Sequence, residues 1–236
     1  PKGVILTHAN LLANSRNILE EGLASDPQTD SGFTWLPLFH DMGLIGFVLA
    51  PIVYGIEVSF MSPLLFLKRP SSWLRGMSRF RATITFGPNF AYALAVKRVR
   101  SKEIEGIDLS RWRVAGCGAE PIRAETLEAF ADHYAPYGFR KEAFYPAYGL
   151  AESTLAVSFS RSVPTDRVKA SVLWSTDEAV ACEASDPDAL RIVNCGKAFD
   201  GHQVQVFALD DTRCEHPLAD RKVGEMRLKG PSVSPG

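Results

Sequence analysis

Two stretches of this chain repeat one arrangement, and a third begins it: a short β-branched or aromatic run, a glycine- or proline-bearing break, then a segment with helical spacing. ATITF at 82–86 stops at Gly87-Pro88, and a helical pattern covers 89–100. WRVA at 112–115 runs straight into GCGAEP at 116–121, after which Leu127, Phe130, Ala131 and Tyr134 recur at helical spacing over 122–134. A further short strand precedes FYPAYG at 144–149. Short apolar runs bounded by breakers read as buried strands, and strands that alternate with helices build an α/β layer structure. Ligands in such folds sit beyond the carboxyl ends of the strands. The residues that directly follow each strand are therefore the candidates for chemistry.

The rest of the chain is organised around this core. Residues 9–22 are expected to form a helix, capped by Thr7 and ended at Gly22. FTWLP is a short strand leading to FHDMG at 39–43, and GLIGFVLAPIVYG reads as a buried helix entering a loop. Pro51 and the glycines keep that run below bilayer-spanning length, so no integral membrane segment is expected. The pattern changes near residue 160. The expected division is an α/β part over 1–160, an insertion or linking segment over 161–192, and the start of a small β-rich subdomain over 193–236. Short strands are expected in RIVNC, HQVQVFAL and GEMRLKG.

Charge narrows the function classes. Lys plus Arg is 26 and Asp plus Glu is 27, for a formal net charge of −1. Neither nucleic acid nor anionic lipid gains a global attraction, and no basic stripe with interleaved aromatics is present. Cys117, Cys182, Cys195 and Cys214 form no CxxC pair and no zinc-ligand spacing. They fit a reducing, cytoplasmic setting, and no signal peptide is visible. A start on PKG without Met and an end on GPSVSPG lead us to expect an inner portion of a longer protein.

Four tracts carry chemistry-bearing residues. In FYPAYGLAE at 144–152, Tyr148 can pack on an aromatic ligand, Gly149 permits a tight backbone path, and Glu152 offers a hard oxygen to Mg²⁺. The plainer reading is a turn into a helix with Glu152 as a cap. In GCGAEP, the small Gly118 and Ala119 beside Glu120 let a flat ring approach backbone groups. Alternatively Pro121 begins a helix and Glu120 is its first-turn acid. FHDMG sets His40 beside Asp41, whose side chains would diverge on a strand. Without a GxSxG elbow this is no serine hydrolase. Lys2 beside Gly3 is either a solvated loop or a mobile point charge for phosphate.

Taken in order, PKG, FHDMGLIG, GPNFAY, GCGAEPI, FYPAYGLAES and VGEMRLKGPSVSPG resemble the acyl-adenylate-forming (AMP-binding) superfamily, and within it the fatty acyl-AMP ligases. The resemblance covers essentially the whole chain. It implies a fragment of a layered large domain followed by a small β-rich subdomain. It implies ATP-dependent conversion of a long-chain fatty acid to acyl-AMP with release of pyrophosphate. The acyl group would then pass to the phosphopantetheine thiol of an acyl carrier protein. The sister acyl-CoA ligases use coenzyme A instead, and an inactive binding or scaffold protein is the other reading. WLPLFHDMGLIG, GPNFAY and the 161–192 segment, with TDRVKASVLW in it, carry the branch assignment.

By that resemblance Lys2, His40 and Glu152 are the catalytic candidates. Gly3, Gly118, Ala119, Glu120, Tyr148 and Gly149 would hold ATP, and Glu152 would hold Mg²⁺. Met42, Gly43, Pro88, Asn89, Phe90 and Tyr92 would border the acyl group. Residues 226–236 would belong to the body of the domain rather than to catalysis. The ribose-binding aspartate and the lysine-bearing C-terminal domain would lie beyond this segment, leaving it poorly active or inactive alone.

Overall fold

The computed structural model describes residues 3–209 and 216–236. Lys2 and Cys214 lie outside the described residues. The strands are β1 (Ser31–Thr34), β2 (Glu57–Phe60), β3 (Ile84–Gly87), β4 (Val114–Cys117), β5 (Phe144–Gly149), β6 (Ala156–Phe159), β7 (Thr165–Lys169), β8 (Ala189–Val193), β9 (Lys197–Ala198), β10 (Gln203–Phe207) and β11 (Glu225–Lys229). The α-helices are α1 (His8–Arg16), α2 (Asp41–Leu44), α3 (Ala50–Tyr54), α4 (Pro63–Lys68), α5 (Ser71–Arg79), α6 (Asn89–Arg98), α7 (Ala124–Tyr134) and α8 (Ala170–Thr176). No helix among the described residues is long and apolar enough to cross a membrane.

One seven-stranded sheet, ordered β2-β1-β3-β4-β5-β6-β9, organises the fold. The pairs from β2 to β5 are parallel, and β5–β6 and β6–β9 are antiparallel. Gly87 lies opposite Cys117, and Cys117 opposite Pro146, so β3 and β4 finish level beside the middle of β5, which runs on to Gly149. Every residue of β3 and β4 is buried, as expected where both sheet faces are covered. Gly116 is required here, because a Cβ would come within 2.1 Å of the Phe86 ring.

The helix-packed core is aromatic. Trp73, Trp112, Tyr92, Tyr134, Phe66, Phe130 and Phe144 are its largest fully buried side chains. Edge-to-face pairs recur, with Trp73–Tyr92 centroids 5.3 Å apart and Tyr92–Phe130 5.0 Å apart. Tyr92 donates its hydroxyl to Gly116 O at 2.8 Å. This corrects the expectation that Tyr92 borders an acyl group: it is a core residue whose only polar atom is already satisfied.

Two helices widen where the sheet needs them. Thr7 caps α1 reciprocally with Asn10, its Oγ1 accepting from Asn10 N at 3.1 Å. Past Arg16 the helix becomes π-helical over Asn17–Gly22. The tract after His40 forms α2, a π segment over Ile45–Leu49 and α3, ended by Gly55 at φ +68°. Pro51 has no N–H to give the carbonyl four residues back, and the wide turn accommodates that gap.

Three expectations need correction. FYPAYG is itself strand β5, not the connection after one. The run after Glu152 is a 3₁₀ turn, Ala151–Ser153, and then strand β6 rather than a helix. Its backbone is taken by antiparallel pairing with β5, which local spacing does not reveal. RIVNC contributes to β8, which pairs with β7 rather than with the last strands.

Asp30 and Arg113 tie the amino ends of β1 and β4 together. Arg113 Nε donates to Asp30 Oδ1 at 2.7 Å, as does Thr83 Oγ1 at 2.7 Å, and Arg113 Nη1 donates to Leu23 O at 2.9 Å. Burial pushes the Asp30 carboxyl up, but Arg113, the Asp26 amide and Thr83 outweigh it and hold it below its usual value. A depressed carboxylate contributes stability that is complete above its unfolded pKa. That contribution is lost as pH falls through the lower folded value.

Arg113→Ala should therefore cost about 3 kcal/mol at neutral pH, because it strands a buried carboxylate. Denaturant titration at neutral and acid pH should show the gap from wild type closing as pH falls. Tyr92→Phe should cost about 1 kcal/mol in the same titration. It should leave any fatty-acid preference of the full-length protein unchanged.

Candidate active site

The loops after β3 and β4 are bound to each other. Phe90 N–H donates to Glu120 Oε1 at 2.6 Å, and Arg123 N–H donates to Asn89 Oδ1 at 3.0 Å. Gly118 N–H reaches Gly87 O at 3.4 Å. Glu120 therefore sits at the amino end of α6, where its charge is favoured, and not in the first turn of α7. That helix starts only at Ala124, after an extended Arg123, so Pro121 does not open it. Ala119, at φ +68°, makes the turn that aims Glu120 back. A Cβ on Gly118 would stand 2.9 Å from Ala147 O, so glycine allows this loop to abut β5. Cys117 is fully buried below the loop, where burial and then Glu120 push its thiol up and leave it unreactive.

Strand β5 delivers the next group. Tyr148 pairs with Ser158 and Gly149 with Ala156, with a register irregularity between them. A Cβ on Gly149 would meet Leu155 O at 2.0 Å. The Tyr148 phenol is pushed up by burial and then by the neighbouring Glu152 carboxylate. Among the described residues the Glu152 carboxylate has no ion pair, while its backbone oxygen accepts from Ser234 N at 2.7 Å. No group of three His, Cys, Asp or Glu side chains that could hold a metal occurs among the described residues. One uncommitted carboxylate still fits Mg²⁺, which commonly takes one or two carboxylates and completes its shell with phosphates and water.

His40 caps α2, with Nδ1 2.7 Å from Asp41 Oδ1. The two side chains meet because they sit at a helix start, where the backbone turns, and not on a strand as expected. At that distance Nδ1 carries a proton and donates it to the carboxylate. Asp41 Oδ1 also accepts from Met42 N at 2.6 Å, a better arrangement than the 3.3 Å approach of Met42 N to Nδ1. The ring is thereby oriented, and Nε2 forms no bond among the described residues.

One cavity of about 230 Å³ joins the His40, Gly118–Ala119 and Tyr148–Gly149 tracts, with Glu120 and Glu152 outside its lining. Its lining includes His40, Asp41, Met42, Gly118, Ala119, Tyr148 and Gly149. It also includes the apolar side chains of Ile18, Leu19, Phe47, Val58, Ile84, Phe86 and Phe159. Ile18, Leu19 and Phe47 come from the two π segments, which thus shape its wall. None of these apolar residues was singled out from sequence, although the apolar face of 9–22 held the signal for Ile18 and Leu19.

The remaining expected residues lie elsewhere. Gly3 is exposed at the edge of the described chain. Gly43 supports the turn at the start of α2, where a Cβ would meet Pro37 O at 2.3 Å. Pro88 and Asn89 belong to the loop brace, and Phe90 packs edge-on against Trp35 at 6.3 Å. These three, Gly43, Tyr92, Glu120 and Glu152 are outside the cavity lining.

The family model described as AMP-binding enzyme matches residues 1–236. A medium-chain-fatty-acid–[acyl-carrier-protein] ligase of Teredinibacter turnerae is 37% identical over 99% of this chain and 36% of its own length. A ligase of the same description from Moorena producens is 40% identical over 100% of this chain and 40% of its own length. A structure from work on fatty acyl-adenylate ligases of E. coli and L. pneumophila superposes with a TM-score of 0.94 at 40% identity, over 100% of this chain and 42% of that one. The L. pneumophila fatty acyl-adenylate ligase in complex with acyl adenylate and pyrophosphate gives 0.93 at 40% identity, over 100% of this chain and 41% of that one. The chain thus spans roughly two-fifths of the length of these relatives. With the match running from the first residue to the last, the chain belongs to the AMP-binding enzyme family.

Proposed function

We propose that the full-length protein activates a fatty acid with ATP, forming acyl-AMP, and then passes the acyl group to the phosphopantetheine thiol of an acyl carrier protein. The observation that carries this is one cavity that combines two kinds of lining. Its small residues Gly118 and Ala119 with the Tyr148 ring suit adenine, and its apolar side chains suit an alkyl chain. The acid's carboxylate is proposed to lie next to His40. Two relatives described as acyl-carrier-protein ligases support the choice of acceptor.

The chemistry asks little of a protein base. A carboxylate oxygen bonds to the α-phosphorus as the bond to the pyrophosphate oxygen breaks. Alignment and electrostatic stabilisation carry the step. Tyr148 and the Gly118–Ala119 backbone orient the nucleotide. Glu152 is the proposed Mg²⁺ ligand, and the ion when bound offsets phosphate charge. His40, fixed by Asp41, presents Nε2 as a polar contact at the acyl-phosphate junction. Lys2 and Gly3 are proposed for the phosphates. Segment 161–192 is proposed as the family insertion and 193–236 as the start of the β-rich subdomain. The long chain implied by the sequence meets a finite cavity, and the two relatives are described as acting on medium chains.

The test is incubation of the full-length protein with ATP, Mg²⁺ and a ladder of fatty acids, with acyl-AMP read by mass spectrometry. Holo-carrier protein or coenzyme A is then added in parallel. Acyl-AMP consumed by the carrier is expected. Acyl-CoA as the main product would overturn the acceptor, and no acyl-AMP with any acid would overturn the activity.

Two variants sharpen this. Glu152→Gln should slow adenylation on the order of 100-fold at limiting Mg²⁺ while the melting temperature holds. Val58→Phe should shorten the space for the alkyl chain. Acids two methylenes longer than the new limit would lose about 1.6 kcal/mol, roughly fifteenfold in kcat/KM. An unchanged chain-length profile would remove Val58 from the acyl wall.

A further inference from the structure

The turn that follows Glu152 is strained and buried. Thr154 has φ +68° and ψ −62°, and it is the only β-branched residue at positive φ among the described residues. Leu155 N–H bonds to Ser153 O at 2.8 Å, closing a three-residue turn around Thr154. Turns of this hand are rare, and a β-branched residue occupies one only where its surroundings impose it.

The surroundings that impose it come from the far end of the chain. Thr154 Oγ1 donates to Ser232 O at 2.7 Å. Ser153 and Ser232 place their hydroxyls 3.0 Å apart, and Ser232 Oγ lies 2.6 Å from His202 Nε2. The His202 Nδ1 stands 3.2 Å from Asp200 O. A carbonyl can only accept, so Nδ1 carries the proton and Nε2 is the acceptor. Ser232 therefore donates to His202 from its hydroxyl, and from its N–H at 3.3 Å. Its oxygen is then free to accept from Ser153. One orientation satisfies the whole chain, running Ser153 to Ser232 to His202 to Asp200.

The same loop reaches the other side of the site. Asn10 donates its side-chain amide to Pro231 O at 2.8 Å and to Val233 O at 3.1 Å, and Ser234 Oγ donates to Ile5 O at 2.7 Å. Ser234 N–H takes the Glu152 carbonyl at 2.7 Å. Residues 230–236 thus join the segment after Gly3 to the turn bearing Glu152. The resemblance implies for them only the body of the domain. Ser232 is fully buried and commits its proton to His202, so the pair is no hydrolytic dyad.

We propose that Ser232, oriented by His202, is a positioning residue that imposes the Thr154 turn and so fixes the Glu152 carboxylate for Mg²⁺-nucleotide. This rests on the proposed role of Glu152. Supporting partners of metal-binding carboxylates typically matter almost as much as the ligand itself.

The test uses the full-length protein and two readouts other than turnover: calorimetric ATP affinity with and without Mg²⁺, and hydrogen exchange at the Leu155 amide. Ser232→Ala and His202→Ala should each weaken Mg²⁺-dependent ATP binding about tenfold and speed that exchange. His202→Gln, which keeps an acceptor, should recover most of both. In a Glu152→Gln background Ser232→Ala should add nothing to the ATP loss, because coupled residues are not additive. Unchanged affinity, or a full further loss in that background, would overturn the proposal. Should Ser232→Ala fail to fold, Gly230→Ala gives a second perturbation, its methyl placed 2.2 Å from the His202 ring. It should reproduce the tenfold loss, and unaltered binding would again count against the relay. Mg²⁺-dependent ATP binding that is indifferent to Glu152→Gln would sink both the acid's role and the relay. Normal nucleotide results without acyl-AMP would sink only the proposed activity.

Discussion

The shared register of β3, β4 and β5 is the constraint on which the site depends. Because Gly87, Cys117 and Pro146 share one register line, the segments that follow them emerge side by side. Their nearness makes the Glu120–Phe90 and Asn89–Arg123 bonds possible. It also brings Gly118 against Ala147, so the cavity has a backbone wall there. A one-residue slip between parallel strands would reverse every side chain and put the Phe86 ring away from Gly116.

The apolar lining depends on a different device. Two helices that border the sheet widen to π geometry, and that widening presents Ile18, Leu19 and Phe47 to one space. The polar groups around this space are few and each is oriented by a neighbour. His40 is held by Asp41, the Glu152 turn by Ser232, and the Glu120 loop by α6. Such preorganisation suits a reaction whose nucleophile arrives ready ionised on the substrate.

Short apolar runs made the α/β class legible, because ATITF is buried throughout, WRVA is buried except at Arg113, and both are bounded by breakers. FYPAYG was harder, since Pro146 and Gly149 both argue against a strand interior. The resemblance names His40, Met42, Gly118, Ala119, Tyr148 and Gly149, and these residues share one cavity. It could not separate Phe90 from Tyr92. Two residues on a helix differ by about 200°, and only tertiary packing decides which one is buried. The partners of Glu120 and Thr154 are 30 and 78 residues away, so neither interaction leaves a local mark. The contacts of residues 230–236 leave no local mark for the same reason.

The most direct measurement is a crystal structure of the full-length protein with a medium-chain acyl sulfamoyl adenosine, a stable mimic of acyl-AMP. The account predicts adenine between Tyr148 and the Gly118–Ala119 backbone, with the alkyl chain passing Met42 to lie among Phe47, Ile84 and Phe86. An alkyl chain outside that cavity, or a nucleotide that leaves Tyr148 uncontacted, would contradict it.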